Sequence, residues 1–158
     1  MTIEILEESG TGVDLTALAR LARFVIDEMR VHPQAELCIK AVDEDTIAEL
    51  NEQWMGKPGP TDVLAFPMDE LRPGQINQDP DPDEQPVLGD LVLCPVVAER
   101  QGEAAGHGHW AELELLTVHG ILHLLGYDHA EPEEHREMFG LQDQLLGSWR
   151  ATTDDGQR

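Results

Sequence analysis

Hydrophobic and polar residues alternate in several short segments of the chain. From Thr2 to Glu8, Ile3 and Ile5 alternate with polar neighbours, which is the period-two pattern of a half-buried strand. The same alternation, or a short apolar run between turn residues, predicts three more strands, over residues 36–42, 62–66 and 87–94. Longer segments with a different period separate these strands.

Those longer segments have the three- and four-residue spacing of helices. Over residues 14–31, Leu18, Ala22 and Val25 lie on one apolar stripe, and Pro33 prevents the helix from continuing. The segment 110–125 is nearly continuous in apolar residues, which predicts a helix buried on most sides. Further helices are predicted from Asp43 or Asp45 to about Trp54, from Pro95 to about Ala105, and from Pro132 onwards.

Two polar segments have a composition that does not support a packed core. Residues 72–86, RPGQINQDPDPDEQP, contain four prolines and clustered acids, which predicts an exposed acidic loop. The last eight residues, ATTDDGQR, predict a disordered tail over 151–158. A chain of 158 residues is long enough to build one core without staples. We therefore expect a single domain over residues 1–150, with the loop as an insertion.

The chain is strongly acidic. It has 10 Lys and Arg against 32 Asp and Glu, and a formal charge of −22. Because phosphate binding depends on basic side chains that displace counterions, this charge argues against non-specific binding of nucleic acid, and we expect no DNA partner. No stretch approaches the ~20 apolar residues of a membrane span, and the first ten residues lack a signal-peptide pattern. These features predict a cytoplasmic protein without membrane contact.

The segment TVHGILHLLGYDH carries the most specific chemistry of the sequence. It places His119 and His123 four residues apart, and therefore on one face of the predicted helix. Gly126 follows where a glycine can end the helix and turn the chain back, which can bring His129 to the pair. Three imidazoles are the ligand set of a catalytic zinc, which keeps its fourth position for water. The pattern predicts an open, hydrolytic metal site.

The spacing of these histidines also matches the metzincin peptidases, but one residue differs. Gly120 stands where that family has its general-base glutamate, so a peptidase built on this pattern lacks its base. A zinc metallohydrolase acting on a peptide or a small molecule is therefore an alternative function. A non-catalytic ribosome-assembly factor with a structural zinc is another.

Three blocks of the sequence together resemble the YbeY family of bacterial endoribonucleases. They are PTDVLAFPMDE at Pro60 to Glu70, LGDLVLCP at Leu88 to Pro95, and HGILHLLGYDH at His119 to His129. The blocks occur in the order and spacing of the family around a variable loop, and the resemblance spans about residues 1–150. It implies a single-domain α+β fold, with a small mixed β-sheet packed with helices and a metal site on a central buried helix and the following turn.

The resemblance also implies an activity. It indicates a zinc-dependent, single-strand-specific endoribonuclease acting in maturation of the 3′ end of 16S ribosomal RNA and in ribosome quality control. One Zn²⁺ per chain would be held by the residues matching His119, His123 and His129. The implied partners are ribosomal RNA and the small ribosomal subunit with its assembly factors. Because of the acidic charge, we expect weak binding to free RNA, and useful affinity only through partners or a local basic cleft formed by Lys40, Lys57 or nearby arginines.

The sequence assigns no catalytic group beyond a metal-bound water, but two residues are candidates for supporting roles. Many family members have an arginine just before the glycine matching Gly56, and here that position is Met55. Lys57 either replaces the arginine in positioning phosphate or is a solvated turn lysine. Asp128 either orients a ligand imidazole through a hydrogen bond or caps the turn.

The three tryptophans have two interpretations. Aromatic rings can stack on the bases of single-stranded RNA, and they can equally fill a core. Because each falls at a position compatible with helix packing, we expect Trp54, Trp110 and Trp149 to lie in the core.

Overall fold

The computed structural model describes residues 2–31, 36–67, 87–127 and 131–156. Within these ranges the chain forms four strands, five α-helices and one π-helical turn. The strands are β1 (Thr2–Glu7), β2 (Glu36–Ala41), β3 (Val63–Pro67) and β4 (Val87–Leu93). The helices are α1 (Leu15–Glu28), α2 (Glu44–Leu50), α3 (Pro95–Ala105), α4 (Gly108–Leu124) and α5 (Pro132–Gly156), and the π-helical turn (Asn51–Met55) directly follows α2.

The four strands form one mixed sheet in the order β1-β2-β4-β3. β2 pairs in parallel with β1 and β4, and β3 pairs antiparallel with β4. The expected α+β fold with a small mixed sheet packed with helices is therefore confirmed. The predicted strands agree with the observed ones to within one or two residues, because alternation along each strand follows the two faces of the sheet.

The main hydrophobic core lies between one face of the sheet and the helices α1, α4 and α5. β2 shows the alternation directly, since Leu37, Ile39 and Ala41 are buried while the residues between them are half-buried. On the opposite side of this core, α4 contributes fully buried residues at Val118 and Ile121. A helix that is apolar on nearly every side must lie inside the domain, as the sequence predicts for this segment.

Within the described ranges, the other face of the sheet is only partly covered. A smaller buried cluster forms there between α2, α3 and the strands, with Ile47, Leu64, Val92 and Cys94 among its members. Asp43 begins α2, and its carboxylate accepts a hydrogen bond from the backbone N–H of Thr46 at 2.8 Å. The uncovered part of this face borders the π-helical turn that follows α2.

Two predicted boundaries differ from the structure. The predicted helix reaching Trp54 is α-helical only to Leu50, where the π-helical turn begins. The predicted disordered tail over 151–158 is wrong for residues 151–156, because α5 continues to Gly156. The helix can extend because no proline or glycine interrupts it after Gly147, and the Thr152 hydroxyl donates to the Ser148 carbonyl at 2.9 Å.

Some predictions fall outside the described ranges. The acidic loop over 72–86 lies there, as do residues 157 and 158 of the predicted tail. None of the helices in the described ranges is both long and apolar enough to span a membrane. Cys38 is a half-buried free thiol and Cys94 a buried one.

Candidate active site

Two histidines in the C-terminal half of α4 face each other. His119 and His123 are half-buried, and the residues beside them in sequence, Val118, Gly120, Leu122 and Leu124, are buried. The Nε2 atoms of the two rings lie 3.1 Å apart, and the ring planes are nearly perpendicular, at 82°. The four-residue spacing therefore brings the two imidazoles together as the sequence predicts.

The other nitrogen of each ring is directed to an oxygen. Nδ1 of His119 lies 2.9 Å from Oε1 of Gln142 on α5, and Nδ1 of His123 lies 3.0 Å from the carbonyl oxygen of Tyr127. Because an oxygen accepts in both cases, each Nδ1–H donates and each Nε2 keeps its lone pair in the neutral ring. Two lone pairs 3.1 Å apart repel each other unless a cation or a proton lies between them.

The turn after α4 places the acceptor for His123. Gly126 has φ of 98°, a left-handed conformation that residues with a Cβ rarely adopt. The N–H of Gly126 donates to the His123 carbonyl at 3.0 Å, and the N–H of Tyr127 donates to the Leu122 carbonyl at 3.0 Å. This is the pair of bonds of a Schellman motif. The predicted glycine turn is confirmed, and it fixes the Tyr127 carbonyl against the His123 ring.

The donor set of this pair fits a divalent metal. Two nitrogens bound to one tetrahedral zinc at 2.0–2.1 Å lie about 3.3 Å apart, which is close to the separation of the two Nε2 atoms. Ligand histidines also commonly donate their second N–H to an oxygen, as both rings do here. A cluster of three ligating side chains is not present within the described part of the chain. The predicted third ligand His129 and the candidate Asp128 lie outside that part.

A groove of about 860 Å³ runs past the two histidines. One wall comes from α4, the turn after it and α5. The other comes from the π-helical turn, the loop after it and β3, and includes Met55 and Lys57. The loop is held by buried Asn51, whose side-chain amide donates to the Gly59 carbonyl at 3.0 Å. Lys57, predicted as a phosphate-positioning candidate, is therefore brought to the same groove as the histidine pair.

The structure explains why Gly120 occupies the metzincin glutamate position. A Cβ at Gly120 would lie 2.0 Å from Cδ1 of Leu91 on β4 and 3.4 Å from Cγ2 of Val63 on β3. This face of α4 packs on the sheet, so a side chain here would have to displace Leu91. The peptidase alternative therefore lacks its base, and the packing at this position disfavours one.

Two polar residues of the groove were not predicted. Gln142 is only 3% exposed, and it lies on the apolar face of α5 between Met138 and Leu145. A polar residue on an apolar helical stripe is a signal that the sequence does carry. Glu112 is also buried in the groove wall, and its carboxylate lies 2.7 Å from Nε2 of His107. The periodic pattern of α4 gives no sign of this second pair, because the two residues meet across the start of the helix.

The expected burial of the tryptophans is wrong for Trp54 and Trp110, which are 62% and 39% exposed. Trp149 is half-buried and packs on the Phe24 ring, with centroids 5.5 Å apart. On an uninterrupted α-helix, Trp54 would share the face of Ile47 and Asn51, both of which are buried. The π-helical turn has more residues per turn, and it rotates Trp54 away from that face.

Comparison with known proteins gives one consistent family. The family model described as endoribonuclease YbeY matches residues 4–150. The endoribonuclease YbeY of a Nocardioides species is 77% identical over 151 residues, which cover 96% of this chain and 99% of the relative. That of Thermobifida fusca is 56% identical over 158 residues, which cover 100% of both chains.

A solved structure agrees with these relatives. The solution structure of TM1509 from Thermotoga maritima matches with a TM-score of 0.62 and 30% sequence identity, over 99% of both chains. Enzymes of the matched family are in general metal-dependent, and their substrates are RNA. The family match over nearly the whole chain, together with the identity to its relatives, shows that this chain belongs to the endoribonuclease YbeY family, hydrolases of RNA phosphodiester bonds that act in ribosomal RNA maturation.

Proposed function

We propose that the chain is a zinc-dependent, single-strand-specific endoribonuclease of the cytoplasm, which matures the 3′ end of 16S ribosomal RNA and takes part in ribosome quality control. The observation that carries the proposal is the convergence of two Nε2 atoms, 3.1 Å apart, in a groove that also contains a lysine. His129 completes the proposed ligand set for one zinc ion per chain. The residues at the site thus combine metal ligands with a group suited to phosphate.

The bound zinc would supply an acidified water, or polarise a phosphoryl oxygen, at the position that the three imidazoles leave open. The chain contributes the orientation of the ligands. Gln142 and the Tyr127 carbonyl hold the His119 and His123 rings in the tautomer that directs Nε2 into the groove. Lys57, on the opposite wall, is placed to attract the phosphate backbone of the substrate.

The acidic charge of the chain bears on the partners. The sequence has 10 Lys and Arg against 32 Asp and Glu, so free RNA meets far more acidic than basic groups on this protein. We therefore propose that free RNA binds weakly and that the small ribosomal subunit with its assembly factors delivers the ribosomal RNA substrate. Asp128 is retained as a proposed partner of a ligand imidazole.

The proposal is tested with single-stranded RNA and casein as parallel substrates of the zinc-loaded protein. We expect cleavage of RNA and not of casein, and we expect loss of RNA cleavage in His123→Ala. His135→Ala, which removes an exposed histidine of α5, serves as the matched control and should cleave as wild type does. RNA cleavage by His123→Ala at the wild-type rate would overturn the proposal.

The ends of the RNA products identify the nucleophile. Attack by the ribose 2′-hydroxyl leaves a 2′,3′-cyclic phosphate and a 5′-hydroxyl, whereas attack by water leaves no cyclic end. A substrate with a 2′-deoxyribose at the cleavage position is refused in the first case and cleaved in the second. The two experiments must agree for either nucleophile to be assigned.

A further inference from the structure

A second depression, of about 610 Å³, lies beside the active-site groove on the uncovered face of the sheet. Met55, Ala65 and Pro67 line both depressions, so the two adjoin along the π-helical turn and the end of β3. We call this second depression the aromatic subsite. Its characteristic side chains are Trp54 and Phe66. A single-stranded RNA that extends from the histidine pair along this side would reach the aromatic subsite directly.

Trp54 is presented to solvent rather than packed away. Its side chain is 62% exposed, although tryptophan is a residue that proteins usually bury in large part. The ring of Phe66 on β3 meets it edge to face, with centroids 6.4 Å apart and planes at 76°. This contact supports the indole from one side and leaves most of its surface accessible. The π-helical turn that exposes Trp54 is a local irregularity of a kind found frequently at functional sites.

Each depression contains one lysine that can contact a phosphate backbone, and carboxylates lie beside it, from Asp62 and Glu112 in the active-site groove and from Asp90 in the aromatic subsite. The two lysines of the sequence fall one on each side, Lys57 in the active-site groove and Lys40 in the aromatic subsite. Lys40 lies 3.5 Å from Glu8 in a solvent-exposed ion pair, which phosphate can replace at little cost. Asp90 also lines the aromatic subsite and repels phosphate. The aromatic rings must therefore supply most of the binding, with Lys40 directing the backbone.

We propose that the aromatic subsite binds one base of single-stranded RNA, next to the bond that is cleaved, by stacking on Trp54. The inference rests on the proposed function, because RNA cleavage in the neighbouring groove determines where the adjacent nucleotides of the RNA lie. A stacking platform beside the cleavage site selects single strands, since the bases of a duplex are already stacked on each other. Trp54 would thus be a specificity residue that contacts the substrate outside the reacting atoms.

Binding is measured with a fluorescent six-nucleotide RNA carrying 2′-O-methyl groups, which removes the 2′-hydroxyl nucleophile. Gel electrophoresis after each titration verifies that attack by water has not cleaved the probe. We expect the dissociation constant to rise about tenfold in Trp54→Ala, the effect of losing one stacked base, and to be largely restored in Trp54→Phe. Trp110→Ala is the matched control, because Trp110 is also an exposed tryptophan but lies on α4 in a different depression. It should bind as wild type does.

An abasic nucleotide placed at successive positions of the same probe tests the stacking itself. At one position, loss of the base should weaken binding to wild type but not to Trp54→Ala, because the partner ring is already missing. Equal binding of the probe by wild type, Trp54→Ala and Trp110→Ala would overturn the inference, and so would a loss of binding in Trp54→Ala that Trp54→Phe does not restore.

Cleavage of unmodified RNA separates this inference from the proposed function. We expect Trp54→Ala to raise KM about tenfold with kcat nearly unchanged, since the ring lies outside the reacting atoms. If wild type cleaves RNA in a His123-dependent manner and Trp54→Ala has the same KM, the inference alone fails. If wild type cleaves no RNA, the proposed function fails, while the binding experiment still reports on the aromatic subsite.

Discussion

The two walls of the active-site groove are held in different ways. On one wall, His119 and His123 project from a helix whose neighbouring residues are buried, and both rings are fixed by hydrogen bonds. On the other wall, Met55 and Lys57 are exposed. Met55 ends the π-helical turn, and Lys57 lies in the loop that follows. The difference reflects what each wall must bind. Metal ligands require fixed geometry, whereas contacts with a flexible RNA strand tolerate exposed side chains on a loop. We call the wall with the two histidines the rigid wall, and the wall with Met55 and Lys57 the exposed wall.

The strongest test of the rigid wall is a side chain at Gly120. Gly120→Glu forces a carboxylate into the contact between α4 and the sheet, where even a Cβ lies 2.0 Å from Leu91. We expect a loss of about 1–3 kcal/mol in the free energy of unfolding, because the added volume must displace Leu91. Urea denaturation followed by circular dichroism measures it.

The control for that experiment is Gly140→Glu on α5, where nothing lies within 4 Å of an added Cβ. We expect it to change stability by no more than about 1 kcal/mol, with a gain from better helix propensity. If Gly120→Glu were as stable as Gly140→Glu and hydrolysed casein, the rigid packing of this wall and the exclusion of a peptidase would both be wrong.

The second test removes the hydrogen bond that orients the His119 ring and keeps the histidine itself. Gln142→Leu keeps the size of the side chain but removes the oxygen that accepts from Nδ1 of His119. We expect zinc affinity to fall about 10- to 100-fold, as is typical when the hydrogen-bond partner of a ligand is lost. Competition with a chelating dye measures the affinity. Gln144→Leu, two residues away on the exposed side of α5, should bind zinc as wild type does.

The third test adds a positive charge to the exposed wall. Met55→Arg introduces the arginine that the resemblance to the YbeY family leads us to expect at this position, where the Met55 side chain is 42% exposed and lines the groove. We expect RNA to bind a few-fold more tightly, and the slope of log affinity against log salt to steepen by about one. Met55→Gln, which is polar without charge, is the control and should leave the slope unchanged.

The smallest expected effect concerns α2, the helix that leads to the exposed wall. Hydrogen bonds from the side chain and backbone of Thr46 lower the pKa of Asp43 below its ordinary value of 3.8. The charged form is therefore favoured in the folded state, and its stabilisation is complete above pH 3.8 and is lost as the pH falls through the lowered pKa. Thermal unfolding from pH 7 to pH 2 should show wild type converging with Asp43→Asn in acid. Asp45→Asn, in the same helical turn, controls for the change in charge alone.

The rigid wall was largely predictable from the sequence. His119, His123 and Gly126 obey local rules of helix spacing and helix termination, and these rules need no knowledge of the rest of the fold. The strands were predictable for a similar reason, because one buried face imposes alternation on residues such as Leu37 and Ile39.

The geometry of the exposed wall and the hydrogen bonds that orient the histidine rings were not predictable from the sequence. Gln142 reaches His119 only through the packing of α5 on α4, a contact between residues 23 positions apart. Trp54 was expected in the core because regular helical spacing aligns it with Ile47, and only the π-helical turn changes that direction. Gln142 interrupts the apolar stripe of α5, which marks the residue in the sequence but not its partner, whereas the direction of Trp54 depends on a local irregularity that leaves no periodic signal.

The most direct measurement is the zinc content of the purified protein beside its histidine variants. We predict one zinc per chain in wild type and in the control His135→Ala, and little or none in His119→Ala, His123→Ala and His129→Ala, with circular dichroism verifying that each variant is folded. A folded variant lacking both His119 and His123 that still retained one zinc per chain would contradict the proposed site.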